Sequence, residues 1–104
     1  MKIEIKRYGT DEVLHSTDVP NNSTKLVLLD AIRNGICLDE AELSSALLND
    51  INFEGTSLNN ANFFGSDLRY SDLRFCDIEN ANFHNTNMQG AKITIGLREF
   101  IIFE

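Results

Sequence analysis

From Ile36 to Ile95 the chain repeats every five residues without interruption. In register the units read ICLDE, AELSS, ALLND, INFEG, TSLNN, ANFFG, SDLRY, SDLRF, CDIEN, ANFHN, TNMQG and AKITI. The third residue of every unit is large and apolar: Leu38, Leu43, Leu48, Phe53, Leu58, Phe63, Leu68, Leu73, Ile78, Phe83, Met88 and Ile93. The first residue is small throughout, except at Ile36 and Ile51. A period of five fits neither the 3.6 of a helix nor the 2 of a strand. It requires a solenoid whose turn length is a multiple of five.

The second residue of the unit is Asp or Asn at Asn52, Asn62, Asp67, Asp72, Asp77, Asn82 and Asn87, while Cys37, Glu42, Leu47, Ser57 and Lys92 depart from that rule. Small, then Asp/Asn, then Leu/Phe, then two variable residues resembles the pentapeptide-repeat family. The resemblance implies a β solenoid: a right-handed quadrilateral β-helix with four units per coil, hence about three coils here. Residues twenty apart would then stack. The inner columns would be Leu43/Phe63/Phe83, Leu48/Leu68/Met88, Phe53/Leu73/Ile93 and Leu38/Leu58/Ile78, with small residues filling the gaps. Short polar side chains at the second position are explained by hydrogen bonding to local backbone at tight turns. No catalytic row needs to be invoked for them.

The segments outside the repeat read as caps. Lys2 to Tyr8 alternates, with Ile3 and Ile5 on one face, and Glu12 to Thr17 is a return strand after a turn at Gly9-Thr10-Asp11. Ser23 is a suitable N-cap and Gly35 a suitable C′ residue for a helix over 24–34, with Leu28, Ala31 and Ile32 buried and Thr24 a turn earlier. Such a hairpin and helix are similar to those of a subgroup of pentapeptide proteins found in bacteria and their phages. They would cover an end that otherwise presents unpaired backbone and an apolar cross-section. The expected organisation is one structural domain: residues 1–35 as hairpin and capping helix, 36–95 as β-helix, and 96–104 as C-terminal strand or cap. Phe100, Ile101, Ile102 and Phe103 are consecutive apolar residues at that end, and mark a candidate contact for a two-fold homodimer.

The chain's 104 residues suit one domain, and no apolar run reaches the length of a membrane span. The first residues form no signal-peptide core, and with only Cys37 and Cys76 a reducing, cytoplasmic setting is expected. The two cysteines would lie two coils apart, ~10 Å at strand spacing, beyond the ~7 Å that a disulfide spans. Net charge is −7 and no basic stripe exists, so direct nucleic-acid binding is not expected. His15 and His84 fall in different segments. No metal-ligand spacing, phosphate-binding glycine loop or base-paired nucleophile is present. No catalytic, cofactor or metal site is expected.

Function then rests on the outward positions. Glu54 and Arg74, twenty apart, are expected to pair. Phe64, Tyr70 and Phe75 are outward aromatics within one coil and are the candidate partner-binding residues, distributed over successive sides. The reading is a non-catalytic protein–protein interaction module with an unassigned protein partner. The alternative, suggested by family members that imitate duplex DNA, is binding to DNA gyrase or a topoisomerase. Magnitudes disfavour it: three coils span only ~14 Å against ~34 Å for a turn of DNA. Arg69, Arg74 and Lys92 also interrupt the acidic faces.

Overall fold

A computed structural model of the chain describes residues 1–95 and 99–104. Lys2–Lys6 (β1) and Val13–Asp18 (β2) pair antiparallel, with a register shift between Ile5 and Lys6. Ile5 is fully buried, and Ile3 and Leu14 pack beside it. Asn22 ties the hairpin to the start of the helix. Its amide nitrogen donates to the carbonyls of Met1 (3.0 Å) and Thr17 (2.9 Å), and its side-chain oxygen accepts from the Ser23 N–H (2.9 Å).

The helix α1 runs Thr24–Arg33. Ser23 is its N-cap and accepts from the Leu26 N–H at 3.1 Å, which satisfies one of the donors a helix start leaves free. Asn34 is the C-cap, and Gly35 comes next at φ 67°. Leu28, Ala31 and Ile32 are buried as their spacing predicts. Val27 is buried as well, so the apolar stripe is wider than that spacing alone implies. The helix contacts the hairpin and also reaches the repeats, where Lys25 Nζ donates to the Asn49 carbonyl at 2.6 Å.

Through the repeats, residues twenty apart lie side by side in parallel: Glu42 with Asn62, Leu47 with Asp67, Asn52 with Asp72, Asn62 with Asn82, and Asp67 with Asn87. Asp72–Leu73 (β3) pairs the same way with Lys92–Thr94 (β4). Residues 36–55, 56–75 and 76–95 therefore form three successive layers of four units. Their hydrogen bonds run between layers, as from Leu48 N–H to the Asp67 carbonyl (2.8 Å) and from Asp67 N–H to the Ala46 carbonyl (2.9 Å).

Every fifth-position residue from Glu40 to Gly90 has positive φ. A bond such as Ala41 N–H to the Leu38 carbonyl (3.1 Å) closes the same corner. One left-handed residue at the third place of a four-residue turn is the type II pattern. It turns the chain and returns the next large residue to the inside.

The third-position residues from Leu38 to Leu73 are at 0–1 % exposure. Phe63 stacks on Phe83 with ring centroids 5.2 Å apart and meets Phe53 edge-on at 6.2 Å. Small first residues fit between them. Ser71, fully buried, accepts from the Ile51 N–H (3.1 Å) and donates to the Leu48 carbonyl (2.8 Å). Ser66 makes the equivalent pair with Ala46 and Leu43.

The last layer departs from the expectation of a fully buried column. Ile78, Phe83, Met88 and Ile93 are only partly buried, because a third-position side chain is closed over by the layer beyond it. Phe100–Ile102 (β5) turns back and pairs antiparallel with β4, Ile101 opposite Ile93. It therefore lies beside one side of the last layer, and Phe100, Ile101 and Ile102 remain exposed. The expected C-terminal segment begins at residue 96, and its part over 96–98 lies outside the described residues.

At the other end the closure is fuller. Arg7 pairs antiparallel with Ala41, and Tyr8 N–H donates to the Glu40 carbonyl (2.7 Å). Glu42 N–H in turn donates to the Lys6 carbonyl (2.8 Å).

Replacing Leu68 by Asp puts an unpaired charge in this column and should cost more than ~3 kcal/mol. Arg69→Ala, one residue along and outward, should leave the melting temperature nearly unchanged. Equal melting losses in the two variants would show that the inward register is wrong.

Candidate functional site

The outer surface is organised by the second-position side chains. Asn52 accepts from the Glu54 N–H (2.9 Å), Asn62 from Phe64 (3.1 Å), Asp67 from Arg69 (3.0 Å), Asp72 from Arg74 (3.0 Å), Asn82 from His84 (2.9 Å) and Asn87 from Gln89 (3.1 Å). The row is structural, as its turn chemistry predicts. On the side made by units 36–40, 56–60 and 76–80 the scheme changes. There Asp39 accepts from the Asn59 N–H one layer on (2.9 Å), and Asn59 accepts from the Glu79 N–H (2.9 Å). Ser57 also donates to Asp39, at 2.5 Å.

Arg74 does not pair with Glu54. It grips Asp72 through two nitrogens, at 2.9 and 2.7 Å. Arg69 holds Asp67 likewise, at 2.9 and 2.8 Å. The reason is local: each carboxylate already accepts the arginine's own backbone N–H, so the guanidinium meets it with little further ordering. These guanidinium hydrogen bonds hold the carboxyls of Asp67 and Asp72 below their usual range. The hydrogen bond from Ser57 lowers Asp39, and that from His15, at 2.7 Å, lowers Asp30.

The candidate aromatics are all exposed but differently held. The Phe64 ring stacks on His84, centroids 5.6 Å apart. Tyr70 lies over Gly90, whose missing Cβ would sit 2.3 Å from the Tyr70 ring. Phe75 is 70 % exposed. Tyr70 and Phe75 are fifth-position residues, at φ 61° and 66°. Bulky side chains are rare in that conformation, and holding one there costs about 1–2 kcal/mol. The two occupy the corners at either end of one side, residues 71–75, so one partner surface can reach both. Phe64 lies in the unit 61–65, two sides before this one. Phe100 also reaches this side, with the Arg74 guanidinium 4.8 Å above its ring. Ile101 and Phe103 alternate away from Phe100 and Ile102 along the tail.

One feature of this surface was not read from the sequence. At Glu54–Gly55 both residues have positive φ, 50° and 74°, unlike the single left-handed residue of the other corners. Fifth-position N–H groups elsewhere donate to the next layer, as Asp50 does to the Arg69 carbonyl (2.9 Å) and Asn60 to the Glu79 carbonyl (2.8 Å). Among the described residues the Gly55 N–H makes no such bond to Arg74, and the Asp77 N–H makes none to Thr56. Phe75, in the next layer, donates to Thr94 Oγ1 instead of a carbonyl (2.8 Å). Two grooves meet at this corner. One of about 330 Å³ is bounded by Asn52, Glu54, Asp72, Arg74 and Phe75. The other, about 290 Å³, runs from Glu54 and Gly55 to Ile36 and Cys37. The available signal was the departure of Cys37 and Ser57 from Asp/Asn, on the side where the bonding scheme switches.

Cys37 and Cys76 form no disulfide. Cys76 is half-buried and burial pushes its thiol up to about 11, which makes it a poor nucleophile. Among the described residues no cluster of His, Cys, Asp and Glu could hold a metal ion, and no helix is long and apolar enough to cross a membrane.

Comparison with known families matches this architecture of stacked five-residue units. The description "Pentapeptide repeats" fits in eight copies, over residues 36–69 and 56–94. These ranges cover more than half of the chain, which therefore belongs to the pentapeptide-repeat family. No curated protein and no solved structure matches it.

Phe75→Asn, which suits a left-handed corner, should raise stability by about 1 kcal/mol, while Phe75→Val, β-branched, should lower it; the reverse order in thermal melts would contradict the corner assignment. Acid should destabilise the fold in a definite window. Carboxyls depressed in the folded state contribute stability above their unfolded pKa of ~4, and that stability is lost as pH falls through the lower folded values. Melting temperature should hold from pH 7 to about 5 and drop below about 4. Asp72→Asn, which keeps the turn acceptor, should show a smaller drop than wild type; an unchanged drop would remove Asp72 from the account.

Proposed function

We propose that the protein is a non-catalytic protein–protein interaction module. In this reading residues 36–95 close into a right-handed quadrilateral β-helix of about three coils. Residues 1–35 cap its N-terminal end, residues 96–104 form the C-terminal strand or cap, and the whole folds as one domain. The observation that carries the reading is the pair Tyr70 and Phe75, exposed aromatics retained in left-handed corners that Asn or Gly would fill more stably. Backbone strain kept at a surface is a pointer to function. Aromatic anchors beside well-held arginines are also the composition that protein interfaces favour.

The DNA-imitating alternative has less support. Arg69 and Arg74 each neutralise a carboxylate on the surface that would have to look like a phosphate backbone. The longest dimension of the protein, caps included, is 39 Å. We propose accordingly that it binds neither DNA nor gyrase, that it acts in the cytoplasm of a bacterial or phage-infected cell, and that it needs no cofactor.

The C-terminal end supports a second proposal, a homodimer. Ile78, Phe83 and Met88 are half-uncovered, and Phe100, Ile101, Ile102 and Phe103 stand at one side of the same end. A two-fold contact would bury both sets and closes on itself.

Capture experiments from lysate should recover a partner with wild type and lose it with the Phe64/Tyr70/Phe75 triple alanine variant, both folded by circular dichroism. Equal capture would reject the aromatic surface. Sedimentation should give a dimer for wild type and a monomer for Ile101→Asp; a monomeric wild type would reject the dimer.

A further inference from the structure

In the sheet β3–β4–β5, the outer strand β5 has β4 as its sole neighbour among the described residues. The bonds around β5 fix which way its backbone points. Ile95 N–H donates to the Glu99 carbonyl (2.9 Å), Phe103 N–H donates to the Ala91 carbonyl (2.9 Å), and Ile101 lies opposite Ile93. Alternation along an antiparallel ladder then turns the N–H and C=O of Ile101 toward β4, and those of Phe100 and Ile102 toward the free edge. Directly opposed residues share a face of the sheet, so Ile101 extends the inward column of Ile93, while Phe100, beneath the Arg74 guanidinium, lies outside. Nothing blunts this edge. Phe100 to Phe103 contains no charge and no proline, the devices that natural sheets place on an open strand, and Phe100, Ile101 and Ile102 are exposed.

The N-terminal end has no edge to offer in return, because the first layer already pairs with Lys6, Arg7 and Tyr8. The edge is instead complementary to itself. A strand pairs with its own copy about a two-fold axis when edge-facing residues meet edge-facing residues. An axis through Ile101 meets that condition. Phe100 then exchanges N–H and C=O bonds with the partner's Ile102, Ile102 does so with the partner's Phe100, and Ile101 faces the partner's Ile101 between them. Apolar side chains meet on both faces. An axis between Ile101 and Ile102 would call on groups of Ile101 already turned to β4, and would set Glu99 against the partner's Glu104. An axis through Ile102 would set Phe100 against the partner's Glu104. Beyond Ile102 the edge is also no longer regular, since Phe103 bonds to both Ala91 and Gly90.

We propose that two copies of the chain join β5 to β5, antiparallel and centred on Ile101, so that the sheet β3–β4–β5 runs on across the axis. The inference rests on the homodimer reading and narrows it to one strand edge and one register.

The test is disulfide trapping in the full chain, with Cys37→Ser and Cys76→Ala as background. The central pair of such a contact has Cα atoms about 4.5 Å apart, within the ~4.4–6.8 Å that a disulfide spans. Like residues one place to either side are about 8 Å or more apart. Ile101→Cys should therefore give a covalent dimer on air oxidation, while Phe100→Cys and Ile102→Cys stay reduced. Ile102→Pro removes an edge-facing N–H and no bond to β4, so it should raise the dimer dissociation constant about tenfold or more in sedimentation, with unchanged circular dichroism. Trapping through Phe100→Cys or Ile102→Cys in place of Ile101→Cys, or equal sedimentation of wild type and Ile102→Pro, would overturn the proposal. If wild type is a dimer and Ile101→Cys is not trapped, the strand edge is wrong and the homodimer reading stands. A monomeric wild type rejects both.

Discussion

Everything in this fold depends on the chain turning through a left-handed residue once in every five. That conformation is what brings the small first residue of the next unit back to the inside after two outward ones, with the next large third residue two places further on. It also sets the spacing at which residues twenty apart can hydrogen-bond, so the corners and the layer-to-layer ladder are two views of one constraint. Gly, Asn and Asp tolerate the conformation, and they stand at Asp50, Gly55, Asn60, Gly65, Asn80, Asn85 and Gly90. Tyr70 and Phe75 do not share that tolerance, and the energy that holds them comes from the packed columns on the inside. The surface aromatics are thus coupled to the core through the backbone at the corner.

The ladder creates a second problem, because its two ends cannot be alike. The first layer is met by Lys6–Tyr8 and covered by a helix whose buried stripe includes Val27. The last layer is met by one antiparallel strand on one side. The asymmetry accounts for the graded burial along the repeat, from fully buried Leu38 to half-buried Ile93, without any change in the sequence pattern. It also concentrates apolar surface at one end and leaves the aromatic side, 71–75, continuous with the tail through Arg74 and Phe100.

Much of this was legible in the residues. The period alone identified the inward column, and the helix caps at Ser23 and Gly35 were readable because capping is local chemistry. The second-position row was readable for the same reason. The misses share a different cause. Val27 was missed because the helix packs against both hairpin and repeats, and a single-face pattern cannot anticipate two partners. Arg74 was assigned to Glu54 by counting twenty, whereas a carboxylate two residues away and already oriented by a backbone bond is the easier partner. The partial burial of Ile78, Phe83 and Met88 is set by the layer beyond them, which their own identities do not encode. The open corner at Glu54–Gly55 left only a faint trace, the loss of Asp/Asn at Cys37 and Ser57. The outward aromatics could be picked out by type, but not that two of them flank one side.

The central claim is the twenty-residue pairing, and through-space contacts between backbone protons in solution test it most directly. The account predicts close contacts between Glu42 and Asn62, Leu47 and Asp67, Asn52 and Asp72, and Asn62 and Asn82, all at the same separation. Contacts among the same residues at any other consistent separation, or at none, would contradict it.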